Sequence, residues 1–368
     1  GARDAWDFCR LHGLSEFDSR LVAWLVEQHL LMSMTAQRKD LSDPEEIQAF
    51  AERVGDPTRL DYLYLLTVAD SHATNPERWN SWKDALLREL YQGTRRALLR
   101  GLEHPQAQDE LIQQKQGEAK RLVARYGTDP EACTALWIKF SLDYFLHSSP
   151  DEIAWQTRQI LQTDPKDLPL VAIRPQTARG ATEIFLYAHN HPRLFARTTA
   201  LLDQMGLSIM DARVMTSDDQ MAVDSYQVLD QDGQPVNDPI RMEEIREALR
   251  TVLEGQTGGG VQVARSLPRR HRHFPIQTRV SFSADEANRR TVMRLTTLDR
   301  PGLLAAVGAV FQDCGIRLQN AKIATVGAEV DDVFFITTED DAPITCETAL
   351  ACLRREIHNR LEDHAQST

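Results

Sequence analysis

Up to about position 149 the apolar residues recur every three or four places, as in LVAWLVEQHLLM (21–32) and RLDYLYLLTVAD (59–70). This is the period of helices with one buried face. Strand signals are nearly absent there. Pro44, Pro57, Pro76, Pro105 and Pro130 fall at intervals suited to helix ends, so the pattern predicts roughly six or seven helices. After Pro175 the texture changes to β-rich runs, EIFLYA (183–188), SIMDARVM (208–215) and SYQVLD (225–230), separated by an amphipathic helix and turn residues. The fold class expected is α+β, with an all-α region followed by a mixed one.

The mixed region repeats itself. Shifted by 109 residues, TEIFLYAHNHPRLFARTTALLDQMGLSIMDARVMT (182–216) lies on TVMRLTTLDRPGLLAAVGAVFQDCGIRLQNAKIAT (291–325). Pro192 falls on Pro301, Leu194 on Leu303, Gly206 on Gly315 and Ala212 on Ala321. DSYQVLD (224–230) answers DVFFITT (332–338) after a slip of one. Each copy reads strand, helix, strand, strand, helix, the order of a ferredoxin-like βαββαβ module with helices on one face of a sheet. Thr278 to Ser283 is the candidate fourth strand of the first copy, and the second copy shows no clear fourth strand.

Between the first strand and first helix of the second copy stand Asp299, Arg300, Pro301 and Gly302. Proline suits the first turn of a helix, where its missing N–H would be unpaired anyway. Gly302 lets another group approach the backbone just where free N–H groups and the helix dipole favour an anion. A plainer reading has Asp299 capping the helix and Gly302 easing packing. The first copy carries NHPRLF (190–195), with Arg193 in place of the glycine.

Composition narrows the partners. The 368 residues are long enough for two to four domains. With 42 basic and 54 acidic side chains, the net charge of −12 disfavours nucleic acid or an anionic membrane as the main partner. No stretch approaches the roughly 20 apolar residues of a membrane span. Five scattered cysteines without C-x-x-C spacing suggest neither a disulfide framework nor a zinc site, and a reducing cytoplasm fits them.

In the helical half His29 shares an apolar run with Leu21, Leu25 and Met32, and Asp70 follows Leu63, Leu66 and Thr67. Both polar groups are expected to point inward, as a core histidine and a structural aspartate or as metal ligands. RRHRH (269–273) reads as a solvated loop, GQTGGG (255–260) lacks the Lys-Ser/Thr of a phosphate loop, and the tryptophans at 79, 82, 137 and 155 read as core.

The repeat, with DRPGLL at 299–304, resembles the ACT domain, a small module that commonly binds amino acids. The resemblance implies that backbone N–H groups around Gly302 and Leu303 hold a ligand carboxylate and Asp299 its ammonium. Arg300, and Asn190 and His191 of the first copy, complete the expected effector-binding set. Further upstream, EQHLLMSMTAQRKDLSDPEEIQAFA (27–51), LYLLTVADSHATNPERWNSWKDALLRELY (63–91) and YFLHSSPDEIAW (144–155) resemble the bifunctional PII uridylyltransferase/uridylyl-removing family, in its C-terminal part. That resemblance implies the end of an HD-type phosphohydrolase domain at 1–100, a helical connection at 101–178, and ACT-like domains at 179–286 and 287–368. It implies glutamine as effector, the PII signalling protein as partner, and a divalent metal, Mg or Mn, with His29 and Asp70 as later ligands. It also allows a homo-oligomer through the ACT modules. The His-Asp dyad and the nucleotidyltransferase motifs are missing from this sequence, so the chain alone is expected to be inactive. The competing expectation is a noncatalytic amino-acid sensor whose helical half binds a protein.

Overall fold

The chain is described from a computed structural model over residues 1–74, 79–100, 108–191, 193–254, 277–286, 288–323, 325–326 and 329–366. RRHRH, GQTGGG and Pro192 lie outside the described residues. The chain divides into two compact units. The first comprises Gly1–Glu118, Phe145–Pro150 and Ala178–Gly180, and the second Ala119–Tyr144, Asp151–Thr177 and Ala181–Thr368.

Among the described residues the regular elements of the N-terminal segment are helices: α1 (Ala2–Leu11), α2 (Glu16–Gln28), α3 (Leu31–Arg38), α4 (Pro44–Val54), α5 (Pro57–Thr74), α6 (Ser81–Arg100), α7 (Gln108–Ala124), α8 (Pro130–Trp137), α9 (Leu142–His147) and α10 (Pro150–Gln162). Proline opens α4, α5, α8 and α10, as its fixed φ favours. Asp43 and Asp129 cap α4 and α8 by accepting the N–H groups of Glu45 and Glu131. The run 21–32 is not one helix. It breaks at His29–Leu30, and Met32, fully buried, belongs to α3.

The second half contains β1 (Leu170–Arg174), β2 (Thr182–His189), α11 (Leu194–Gln204), β3 (Ser208–Arg213), β4 (Met221–Leu229) and α12 (Pro239–Glu254). The second copy supplies β5 (Arg279–Asp285), β6 (Arg290–Leu298), α13 (Leu303–Asp313), β7 (Ile316–Lys322), a short β8 (Thr325–Val326), β9 (Glu329–Thr338) and α14 (Glu347–Gln366). They form one antiparallel sheet in the order β1-β2-β4-β3-β7-β9-β6-β5, with β8 on β9.

The α+β architecture with two ferredoxin-like modules stands, but the fourth strand is placed differently. The strand at 279–285, expected to close the first copy, pairs with β6 and belongs to the second. The first copy obtains its fourth strand from Leu170–Arg174, which pairs with β2. Each module therefore takes its edge strand from the N-terminal side. A hairpin register favours the choice: Asp285 faces Arg290 across a short turn, and closing a short loop costs less chain entropy than closing a long one.

The modules join edge to edge. Asp211 pairs with Lys322, Ala212 with Ala321 and Arg213 with Asn320. Ala212 and Ala321 are counterparts in the repeat, so the join is centred on a pseudo-two-fold axis. α11 and α13, also counterparts, pack against each other. One core runs beneath both modules, from Ile184, Leu186, Tyr226 and Val228 to Met293, Leu295, Phe311 and Phe334. Each such side chain contributes roughly 1.5–3 kcal/mol through burial. Among the described residues no helix is long and apolar enough to cross a membrane.

Candidate functional site

The pseudo-two-fold brings the start of each central helix to the end of the other. Gly302 precedes α13 with φ +76°, a left-handed conformation that glycine adopts without a Cβ clash. Its N–H donates to Asp203 Oδ2 at 2.5 Å, and Asp203 lies in the last turn of α11. The same arrangement recurs with its partners exchanged. Arg193, the residue before α11, holds φ +69° and its Nε donates to Gln312 Oε1 at 3.1 Å. A non-glycine residue in that region costs roughly 1 kcal/mol or more, so the first copy reproduces the geometry of the second with a less suited residue.

The N–H expected to await a ligand carboxylate is thus already bound by a carboxylate of the protein. Asp299, Arg300 and Gly302 are half-buried beside it and Leu303 is buried. Arg300 donates through Nη1 to the carbonyl of Leu361 on α14, and burial lowers its pKa. In the first copy the N–H of Asn190 donates to the Gln220 carbonyl at 3.0 Å, and its Nδ2 to Thr216 Oγ1 at 3.0 Å. His191 is half-buried, and its carbonyl accepts the N–H of Leu194. The two loops are counterparts in position but present different groups.

In the first module Asp224 is fully buried on β4, opposite Leu186 of β2. Burial pushes its carboxyl up to about 7, against the opposing hydrogen bonds, of which the one from Tyr226 OH is 3.3 Å long. Its Oδ1 has no hydrogen-bond partner. On the opposite face of that module, α10 presents polar groups to the sheet. Glu183 accepts from Gln156 Nε2 at 2.7 Å, Ser225 Oγ at 3.2 Å and Arg174 Nη2 at 2.6 Å. Gln156 in turn accepts from Tyr144 OH at 2.8 Å. Burial, and the nearby Glu152, raise the Glu183 pKa against the pull of Arg174. This network seats α10 on the first module.

The helical unit holds a second junction that spacing could not reveal. His147 Nδ1 lies 2.9 Å from both Ser42 Oγ and Asp40 Oδ2, and Ser42 Oγ donates to Asp40 Oδ1 at 2.5 Å. Both polar contacts use the same ring nitrogen, so the group pins the 40–43 turn to the end of α9 and does not form a nucleophile–base relay. Its members come from two segments, 27–51 and 144–155, each singled out only for resemblance.

His29 is not directed inward. It follows the last residue of α2, is exposed, and its Nδ1 is 2.9 Å from the Val26 carbonyl. The expectation failed because the apolar period was carried across the break between α2 and α3. Asp70 is half-buried near the end of α5, at the margin of the face that buries Leu63 and Thr67. α2 and α5 do pack together. Among the described residues no group of three or more His, Cys, Asp or Glu side chains is placed to hold a metal ion. His29 and Asp70 therefore do not fit a divalent ion as a sufficient set, and no metal-dependent step is derived from them.

Residues 107–159, spanning α7 to α10 up to the last turn, match the family model described as the fifth domain of the uridylyltransferase GlnD. The chain is 47% identical over 366 residues to a bifunctional uridylyltransferase/uridylyl-removing enzyme of Stutzerimonas stutzeri, covering 98% of this chain and 41% of the relative. The enzymes of that name from Methylococcus capsulatus and Azotobacter vinelandii are also 47% identical, over 97% and 99% of this chain and 41% of each relative. The chain matches the C-terminal part of these bifunctional enzymes. It spans about two fifths of the length of the curated relatives it matches. These similarities run through the helical unit and both modules, and so through the segments that hold the Gly302 loop, the Glu183 network and the His147 junction.

Proposed function

We propose that this chain carries the effector-sensing part of an enzyme that adds and removes uridylyl groups on the PII signalling protein, and that the sheet unit binds free glutamine at the second module. The observation that supports the effector site is the bond from Gly302 N–H to Asp203, since the helix start there already accommodates a carboxylate. An incoming amino acid would place its α-carboxylate at the Gly302 and Leu303 N–H groups and its ammonium towards Asp299. To do so it must displace Asp203 from the Gly302 N–H and draw the Leu303 N–H from the Arg300 carbonyl, to which it donates at 3.3 Å, so these internal bonds set a threshold for binding. The side-chain amide of glutamine needs both a donor and an acceptor in the site, because leaving either unpaired costs about 1–3 kcal/mol. Glutamate cannot donate where the amide does and binds more weakly.

The first loop presents Arg193, strained and paired with Gln312, in place of the glycine, and is the poorer amino-acid site. Catalysis is not assigned to residues of this chain. In the whole enzyme, uridylyl removal would use a Mg or Mn ion with ligands beyond His29 and Asp70, which do not suffice alone.

Calorimetric titration with glutamine, glutamate and leucine tests the reading. The expected result is saturable binding of glutamine, weaker binding of glutamate, no binding of leucine, and a larger loss for Asp299→Ala than for Asn190→Ala. Equal affinity for all three ligands, or a larger effect at Asn190, would overturn it.

A further inference from the structure

Two cysteines that no sequence spacing links meet in the second module. Cys314 closes α13 and Cys352 lies in the second turn of α14, 38 positions later, and their Sγ atoms are 3.1 Å apart. Both side chains are half-buried, so a small reagent can reach them, whereas Cys9 and Cys133 are buried and Cys346 is exposed without a facing thiol. We propose that Cys314 and Cys352 form a reversible disulfide, making the second module a site of thiol modification.

A disulfide requires sulfurs about 2.05 Å apart, so the observed pair needs a closure of about 1 Å, within reach of side-chain rotation. The exchange balances with a low-molecular-weight disulfide as oxidant. The Cys352 thiolate attacks one sulfur of the reagent, forming a mixed disulfide and expelling one small thiolate. Cys314 then gives its proton to solvent and attacks the Cys352 sulfur, expelling the second small thiolate. Two protein thiols are oxidised to one S–S bond, and the small disulfide is reduced to two thiols. The order follows from environment: in the dithiol state burial, reinforced by the hydrogen bond and charge of Cys352, raises the Cys314 thiol and disfavours its thiolate, so Cys352 attacks the reagent first, and Cys314 loses the opposing charge and hydrogen bond once Cys352 is in the mixed disulfide.

The bond would join the end of α13 to α14, a helix that also meets the Gly302 loop at the start of α13. Arg300 of that loop donates to Leu361 on α14, and Asp313 at the end of α13 pairs with Arg360 of α14. Oxidation would add a covalent tie between the same two helices. The proposal stands on the thiol geometry and is independent of whether glutamine binds.

The test is to equilibrate the full chain with oxidised and reduced glutathione, quench with acid, and map peptides without reduction. Cys346 shares its tryptic peptide with Cys352, so a second cleavage after Glu347 is needed to tell them apart. The expected product is a linked Cys314–Cys352 peptide that exceeds every other linked pair and disappears on adding dithiothreitol. Cys314→Ser and Cys352→Ser should each abolish it, and oxidation should raise the unfolding midpoint of the parent chain but not of either variant. Circular dichroism of the variants separates loss of the thiol from loss of the fold, and Cys346→Ser should leave the link intact. Glutathione attached singly at Cys346, with no Cys314–Cys352 link, would overturn the proposal. So would a link that forms only after denaturation.

Discussion

At the scale of single residues, the position before a central helix carries most of the functional argument. Gly302 and Arg193 hold the same left-handed conformation, but only the first offers an N–H to a carboxylate, and Asp203 has taken it. Removing that competitor should help the ligand: Asp203→Ala is expected to tighten glutamine binding about three- to tenfold by calorimetry, a capping bond being worth about 1 kcal/mol and tenfold about 1.4. Weaker binding by the variant would show that Asp203 contacts the ligand and does not compete with it. Asp224 yields a second expectation at this scale. The folded chain holds that proton up to about pH 7, whereas an unfolded aspartate loses it near 4. Its folded pKa is raised, so stability is greatest at low pH with respect to this group and falls as pH rises from about 4 to 7, by about 3–4 kcal/mol in all. Asp224→Asn should flatten the denaturation midpoint between pH 5 and 8 and stabilise the chain at the upper end. Glu183, raised in the same direction, leaves a residual slope. An unchanged slope in the variant would remove Asp224 as its source.

Among the elements, the helices α11 and α13 and the strands β3 and β7 build the pseudo-symmetric centre. Gly308 on α13 is there because its neighbour leaves no room: a Cβ would lie 2.6 Å from Phe195 Cδ1 and 3.3 Å from the Ala196 Cα. Gly308→Ala gains about 1 kcal/mol in helix propensity but overpacks a contact worth about 1–3 kcal/mol in strain, so the variant should unfold at lower denaturant. A midpoint at or above that of the parent would mean that α11 and α13 separate more readily than their packing implies. Much of this level was legible in the sequence. The period of the apolar residues gave the helical half, and the 109-residue repeat gave both modules and the matching of Ala212 with Ala321. What it misplaced was the strand at 279–285, because alternation marks a strand but carries no information on its partner. His29 was misread for a related reason, a helical period continued through a break that only backbone geometry reveals. The approach of Asp203 to Gly302, of His147 to Asp40 and of Cys314 to Cys352 depends on tertiary packing between residues 38 or more positions apart, and no local pattern encodes it.

On the scale of the molecule, the family match runs through both units while covering two fifths of the relatives. The sensing role proposed above falls to this segment, and the uridylyl chemistry proposed for the longer enzyme is assigned to none of its residues. Its central claim is that an amino acid replaces Asp203 at the start of α13. The backbone amide resonance of Gly302, followed by nuclear magnetic resonance as glutamine is added, tests this most directly. The account predicts a saturable shift at Gly302 and Leu303, accompanied by a change at the Asp203 carboxylate and absent with leucine. A Gly302 resonance that does not move while glutamine binds elsewhere on the chain would contradict it.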